Sequence, residues 1–405
     1  MIITSKIILR RSFNLAYTET TSKSWFQRVK ESFGGVLTGI ILIVIGTWLL
    51  WWNEERTFKT AGAIGEAELI TEDVQDISRL DTSLEGKVIH ATGHADTKDI
   101  IRDDLFGLSV NAIKLERKAE YYQWVEHERR ETRKKLGGGE ETVTTYTYKS
   151  EWTDEPVDSQ NFKESYYKGR NTIIAKIDDL DTWAPNVTVG AYTLPDFLKH
   201  SIGGAQPMTL QSVDVNSLAG TVRVKRSETL KNLITVSGST VYIGRNPSSP
   251  QIGDVRVTFK QTPPADVSVI AQVYRNTFNE YRASNGYTFS RLRMGTVGMK
   301  AMFEDAKSEN SIMAWILRIV GVICVYFGIN RVFKPLSVIA DVIPLLGTIV
   351  GAGAGFVSFV LGLAWSLVVI AVAWLRFRPL IAACLIAAAV ALIVISYMKG
   401  RKASA

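Results

Sequence analysis

His90 and His94 stand four residues apart, and His127 lies between Glu126 and Glu128. Imidazole and carboxylate groups of this kind are zinc ligands. The pattern goes no further. No His-Glu-x-x-His helix is present, and residues 88–94 read as strand and turn, where positions four apart simply share a face. These are expected to be surface or hairpin histidines, with no metal. The sequence has no Gly-x-Ser-x-Gly elbow and no phosphate loop of the Walker type. No cofactor is expected, and no catalytic residue is assigned.

A second set of candidates is polar side chains within apolar runs: Arg318, Asp341, Ser366 and Arg378. A charge at the centre of a membrane helix costs roughly 2.5–3.5 kcal/mol on insertion scales unless it is paired or wet. Arg318 is expected to snorkel to the near interface, the alternative being an ion pair inside a helix bundle. Asp341 stands shortly before Pro344 and is expected to cap a helix at headgroup level. The alternatives are a buried partner for Arg318 and a catalytic acid. Placed toward opposite faces of a hydrocarbon core about 30 Å thick, Arg318 and Asp341 are not expected to pair.

The third set is aromatic. Tyr121, Tyr122, Trp124, Tyr146, Tyr148 and Trp152 flank Leu136-Gly137-Gly138-Gly139, which reads as the tip of a β-hairpin. By alternation Tyr122 and Trp124 share one face, as do Tyr146, Tyr148 and Trp152. The expectation is cross-strand packing into a core, with an exposed partner-docking face as the alternative. Tyr122, Trp124, Glu126, Trp152, Asp254 and Arg256 are the candidate partner-binding residues. Within that set Asp254 is expected to serve a turn, and Arg256 to lie on a solvated face or to pair with an acid.

The elements that hold these residues follow from hydropathy. Of the 405 residues, Lys and Arg number 47 against 40 Asp and Glu, a mild basic excess without a basic stripe interleaved with aromatics. No nucleic-acid partner is expected. The two cysteines, Cys324 and Cys384, lie in apolar runs and read as small hydrophobes. Residues 33–52 are uncharged and end in Trp48, Trp51 and Trp52, which predicts a membrane helix with an aromatic belt. Its Trp-Trp-Asn-Glu-Glu exit has no small-residue cleavage site, so an uncleaved anchor is expected. Further spans are expected at 312–333, at 336–375 and at 380–398. Within the 336–375 segment, residues 336–350 form a re-entrant or interfacial helix or the start of one kinked helix. Gly347, Gly351 and Gly355 recur every fourth residue and predict a smooth helix-packing stripe.

The expected fold class is therefore an α+β integral membrane protein. It has four transmembrane helices, one N-terminal and three C-terminal, with a large β-rich domain at 53–311 between the first two. A basic tail at 1–32, loose around residues 18–24, and another at 399–405 complete the chain. The basic flanks place both tails in the cytoplasm and 53–311 on the extracytoplasmic side. Arg376 and Arg378 are the misfit, since they would then face outward.

Several short segments carry a family resemblance. After the first span come Asn53-Glu54, Arg56 and Lys59-Thr60-Ala61. The domain contributes Lys114-Leu115, Tyr122-Gln123-Trp124-Val125-Glu126, Tyr148 with Glu151-Trp152, Asn246-Pro247 and Gly253-Asp254-Val255-Arg256-Val257. The C-terminal part adds Trp315 with Leu317-Arg318, Ser366-Leu367, and Ala373-Trp374-Leu375 leading into Arg378-Pro379-Leu380. In this order the chain resembles the transmembrane protein 43 (LUMA) family over nearly all of its length after the tail. The resemblance implies a β-rich domain between helices one and two. It implies an organiser of membrane-protein complexes, which in eukaryotes sits in the endoplasmic reticulum and inner nuclear membrane with lamin and emerin-like partners. A bacterial member would sit in the inner membrane without nuclear-envelope partners. No catalytic residues carry over.

The expected function is a non-enzymatic multipass membrane scaffold that contacts lipid and other membrane proteins and forms homo-oligomers. The rivals are an intramembrane enzyme or lipid-handling protein built on Arg318, Asp341 and Arg378, and an extracytoplasmic ligand sensor with a pocket at Trp124 or Trp152.

Overall fold

The structure, a computed structural model, describes residues 16–211, 213–214, 218 and 232–379. The expected fourth span at 380–398 and the basic tail at 399–405 lie outside the described residues. The first described element is strand β1, Tyr17–Lys23, so residues 18–24 are ordered and not a loose tail. Helix α1 follows, Trp25–Ile70. Ser24 caps it by accepting a hydrogen bond from the Gln27 amide at 3.2 Å. The helix runs 46 residues, far beyond the 20 or so needed to cross a bilayer. Its apolar part ends at Trp52, and its last turns enter the polar domain.

The domain is built on two main sheets. The first contains β1 and five further strands in one hydrogen-bonded row, with two short strands paired off it. Its principal members are β3 (Lys114–Lys134), β4 (Glu140–Thr153), β5 (Thr240–Ile243) and β6 (Val255–Thr262), taking β2 as Val88–Asp96 of the other sheet. β3 and β4 form the long hairpin expected around Gly137 and Gly138, in register from Tyr121 opposite Thr153 to Lys134 opposite Glu140. β1 lies antiparallel on β4, Tyr17 opposite Tyr146 through Lys23 opposite Glu140. The second sheet pairs β2 with β7 (Ala265–Tyr274), and alternate residues of both face inward. Ile89, Leu115, Tyr121, Tyr192, Val257, Phe259, Val267 and Phe278 are among the side chains of the shared core.

Two more long helices close the described chain, α2 (Met299–Ala340) and α3 (Pro344–Phe377). With α1 they make three helices long and apolar enough to cross a membrane. The molecule is thus an α+β membrane protein with, among the described residues, one such helix before a large strand-rich domain and two after it. Residues 336–350 are not an element of their own. Residues 336–340 finish α2 and 344–350 begin α3, with the break at Asp341–Ile343. Ile343 is extended (φ −109°, ψ 109°) because a residue before proline disfavours the helical region, and Pro344 suits the first helical position.

The helices are antiparallel neighbours held by glycines, but not by the stripe expected from the sequence. A Cβ on Gly39 would lie 2.6 Å from the Gly328 carbonyl oxygen, and one on Gly46 would lie 2.8 Å from Val325 Cγ2 and 3.0 Å from the Gly321 carbonyl oxygen. Both α1 and α2 repeat glycine every seventh residue at this seam, so the two backbones approach closely. Gly362 does the same for α3 against Tyr326 of α2, 3.2 Å from its Cα. Of the expected stripe, Gly347 abuts Asp341, Gly351 meets Ser337 Cβ at 3.6 Å, and Gly355 has open space. The four-residue repeat is real, but its face is turned largely away from the described neighbours.

At the domain end, Ile64 and Ala67 of α1 and Met302, Phe303 and Ala306 of α2 pack with Val88, Ile270 and Phe289 of the second sheet. The helix layer is thus continuous with the domain core.

Candidate functional site

The first charged cluster joins all three helices where the apolar runs begin. Arg318 and Glu54 form a bidentate pair, Nε to Oε1 at 2.6 Å and Nη2 to Oε2 at 2.9 Å. Trp374 Nε1 donates to the same Oε2 at 2.7 Å. The guanidinium lies against the rings of Trp315 and Trp374 at 5.0 and 5.9 Å. Beside it Asn53 Nδ2 donates to the Ala314 carbonyl and Asn310 Nδ2 to the Thr57 carbonyl, both at 3.0 Å. Glu54 is 1% exposed, so its charge is held in a dry site by a fork-like partner and an indole. Arg318 does not snorkel away. Its partner, Glu54, was missed as such, although Glu54 and Glu55 stood together at the exit of the first apolar run.

The second cluster lies at the other end of the layer. Asp341 caps α2 between the two helices and is 1% exposed. It accepts from Arg28 Nη2 at 2.6 Å and from Lys134 Nζ at 2.7 Å. Arg28 also pairs through Nε with Glu140 at 2.8 Å and donates to the Gly138 carbonyl at 2.5 Å. Trp25 Nε1 donates to the Val338 carbonyl at 3.0 Å, and the Gly137 amide to the Val342 carbonyl at 3.2 Å. Gly138 has φ 76°, and a Cβ there would strike the Trp25 ring, so glycine is required at this point of the tip. Burial pushes the Asp341 carboxyl up, while Lys134 and Arg28 pull it down and prevail, leaving it below the ordinary range. The cap at headgroup level that the sequence suggested is, in the structure, the centre of a four-residue ion-pair cluster.

Arg318 and Asp341 are on one helix, 23 positions and about 35 Å apart, and do not meet. Ser366 is fully buried and its hydroxyl donates to the Gly362 carbonyl at 2.7 Å, spending its polarity within α3. Arg378 stands at the C-cap of α3, its amide bonded to the Trp374 carbonyl at 2.7 Å. The structure therefore does not bring Arg318, Asp341, Ser366 and Arg378 into one site.

The aromatic hairpin divides into two groups. Trp124 and Glu126 belong to an inner cluster. Trp124 packs edge-on against Tyr167 at 4.9 Å, and Tyr148 stacks on Tyr167 at 4.2 Å. Tyr148 Oη donates to Glu126 Oε2 at 2.5 Å, and the Lys163 amide donates to the same oxygen at 2.6 Å. Burial, and after it the Glu126 carboxylate, pushes the Tyr148 phenol well above its ordinary range. Glu126 thus fastens the 157–171 loop to the hairpin and is not displayed to a partner.

The outer group is half-exposed. Tyr122 and Trp152 face each other across the hairpin, ring centroids 5.3 Å apart, and Arg256 of β6 lies 4.4 Å above Trp152 while its Nε holds Glu120 at 2.7 Å. Buried Tyr242 adjoins the group, 6.2 Å from Trp152. Buried Asp254 accepts from the Tyr242 hydroxyl and, at 2.8 Å, from the Gln251 amide, which is the turn role expected of it. Tyr242 is also raised above the usual phenol range, first by burial and then by Asp254. Tyr122, Trp152 and Arg256 are brought together; Trp124, Glu126 and Asp254 act inside the fold.

The histidines are apart. His90 sits between Asp73 Oδ1 at 2.7 Å and the Val297 carbonyl at 2.9 Å, so both ring nitrogens are already engaged by protein oxygens. His94 pairs with Asp266 and His127 with Glu151. Among the described residues no group of three or more potential ligands could hold a metal ion.

A family model described as Transmembrane protein 43 matches residues 121–379. Among curated proteins, Transmembrane protein 43 of Rattus norvegicus is 27% identical over 387 residues, covering 93% of this chain and 92% of the relative. Transmembrane protein 43 of Homo sapiens is 27% identical over 375 residues, 89% of each chain. The Transmembrane protein 43 homolog of Drosophila melanogaster is 27% identical over 363 residues, 87% of this chain and 91% of the relative. No solved structure matches the chain. The family match takes in the long hairpin, the Arg256 patch, α2 and α3, and the chain belongs to the Transmembrane protein 43 family.

Proposed function

We propose that the chain is a membrane scaffold that organises membrane-protein complexes and carries out no reaction of its own. One observation supports this above the others. Arg318 and Asp341 are each consumed by ion pairs between elements, in two clusters at opposite ends of the helix layer. An intramembrane enzyme built on them would need an acid and a cation that reach one substrate. The half-exposed Tyr122, Trp152 and Arg256 patch supplies a docking face of the residue types that carry much of the energy in protein interfaces. Its partners on this reading are other membrane proteins or further copies of the chain. In a eukaryotic member, lamin and emerin-like partners at the endoplasmic reticulum and inner nuclear membrane fit the same role; a bacterial member would work in the inner membrane.

The test is the full chain carrying Trp152→Ala and Arg256→Ala, purified in mild detergent beside the parent, with copurifying proteins identified by mass spectrometry. The expected result is loss of at least one membrane protein from the parent's set at an unchanged unfolding temperature. An identical set of copurifying proteins would remove the docking face from the reading.

A further inference from the structure

Where the helices enter the domain, their charges do not balance. The stretches concerned are Asn53 to Lys59 on α1, Asn310 to Arg318 on α2 and Trp374 to Arg378 at the end of α3. There two acids, Glu54 and Glu55, stand against five cations, Arg56, Lys59, Arg318, Arg376 and Arg378. Glu54 is taken by Arg318, and Glu55 by Lys59 at 2.6 Å. Arg56, Arg376 and Arg378 have no carboxylate partner among the described residues. Half-buried Arg56 makes one long contact, Nη2 to Thr57 Oγ1 at 3.4 Å, and its Nε is buried without a hydrogen-bond partner among the described residues. A buried donor left unmet in this way is costly.

The cations adjoin one another because α3 ends beside α1. Trp374 bonds Glu54, and Phe377 packs on Trp51 at 5.8 Å and on Phe58 at 6.3 Å. Arg376 is exposed and lies within electrostatic reach of Lys59. Lys59 Nζ is 5.6 Å from the centre of the Tyr287 ring, and the same phenol is within electrostatic reach of Arg56. Lys59 and Arg376 repel, and Glu55 answers one of them only.

An apolar track leads up to this cluster. Ile41, Trp48 and Trp52 precede Arg56 and Lys59 at helical spacing, so all five lie on one face of α1. The three apolar side chains are exposed among the described residues, and Trp48 stacks on Trp52 at 5.9 Å. Ile41 to Trp52 covers about 16 Å along the helix, half of a hydrocarbon core about 30 Å thick. Tryptophan at the polar end of such a track is the residue type that settles at headgroup depth.

We propose that this face binds one anionic phospholipid. Its phosphate lies between Lys59 and Arg376 with Arg56 beside it, and an acyl chain follows Trp52, Trp48 and Ile41. Charge complementarity selects the occupant, since a phosphatidylcholine headgroup brings its own cation and leaves the excess unanswered. The site also gives a reason for Arg376 and Arg378, the basic residues that fitted neither tail. They stand at the domain end of the helix layer, where a lipid phosphate supplies the missing anion. The site is separate from the Tyr122, Trp152 and Arg256 patch and does not depend on it.

The full chain in mild detergent is titrated with phosphatidylglycerol and, separately, with phosphatidylcholine of the same chains, and bound lipid is counted by native mass spectrometry. Phosphatidylglycerol should bind about tenfold more tightly. Lys59→Gln with Arg376→Gln should lose about tenfold of that affinity. Arg129→Gln with Arg133→Gln removes the same charge at exposed positions of the hairpin and should lose none. Equal affinity of the parent for the two lipids, or equal losses in the two double variants, would overturn the proposal. Inorganic phosphate should not displace the lipid; displacement would make this a site for a free anion and overturn the lipid assignment. A second readout leaves the charges intact. Phosphatidylglycerol brominated in its acyl chains should quench tryptophan fluorescence more than brominated phosphatidylcholine does. Trp48→Phe with Trp52→Phe should remove most of that excess, and an unchanged excess would overturn the proposed track.

Discussion

Arg28 and Asp341 are 313 positions apart in the chain and 2.6 Å apart in the structure. The pair joins the start of the first helix to the turn between the last two, and Lys134 brings the hairpin tip to the same carboxylate. Three segments remote in sequence thus end on one buried acid.

Removing that acid should cost more than removing the pair. Asp341→Leu leaves Arg28 buried with only Glu140 as its acidic partner and is expected to lower stability by about 3–5 kcal/mol. Arg28→Leu with Asp341→Leu should be milder than the sum of the single changes. A double-mutant cycle on unfolding in detergent measures the coupling, and additive effects would mean that the two side chains do not interact.

The same cluster gives a pH dependence. Asp341 has a folded value below its unfolded one, so its contribution is present above the ordinary carboxylate range and is lost as pH falls through the lowered folded value. A fluorophore at Leu136 should report release of the tip on acidification, and Asp341→Asn should remove most of that transition. An unchanged transition in the variant would assign it to other groups.

At the opposite end, Glu54→Gln should be more harmful than Arg318→Lys. The first leaves a guanidinium buried without a carboxylate, for about 3–5 kcal/mol. The second keeps the charge but loses the fork and the stacking on Trp315 and Trp374. Thermal unfolding of the two variants gives the order, and equal losses would show that the charge of Glu54 is not the critical feature.

For the glycines, Gly46→Leu and Gly328→Leu should separate α1 from α2, with loss of the folded chain in detergent, because both sites already have atoms within 3 Å of a new Cβ. Gly355→Leu, which meets open space, should be tolerated, gaining up to about 1 kcal/mol of helix propensity. A severe loss at Gly355 would mean that its face packs on another copy of the chain.

The hairpin, its glycine tip and the segregation of long apolar helices from a strand-rich domain were legible because each leaves a local pattern: alternation, turn residues, uncharged runs. The break at Pro344 was half-visible, since proline marks a boundary but does not say whether the chain kinks or turns back. What was not legible depends on partners distant in sequence. The regular spacing of Gly347, Gly351 and Gly355 was conspicuous, yet Gly39, Gly46, Gly321 and Gly328 are the glycines that bring α1 against α2, and their seven-residue spacing acquires meaning only once two helices are set side by side. Arg318 advertised a need for an acid without naming Glu54. Trp124 and Glu126 looked displayable because the 157–171 loop that covers them has no strong periodicity of its own.

Strand β1 and helix α1 carry a constraint on synthesis. A chain emerging from the ribosome makes residues 17–70 long before β4, the strand that pairs with β1, and longer still before Asp341. Until then α1 has an apolar face, an arginine without its carboxylate and a strand with no neighbour. The first helix must therefore be held by lipid or by a chaperone while nearly the whole protein is translated. The Arg28–Asp341 pair, and after it the Trp374–Glu54 bond, can form only once translation has reached residues 341 and 374.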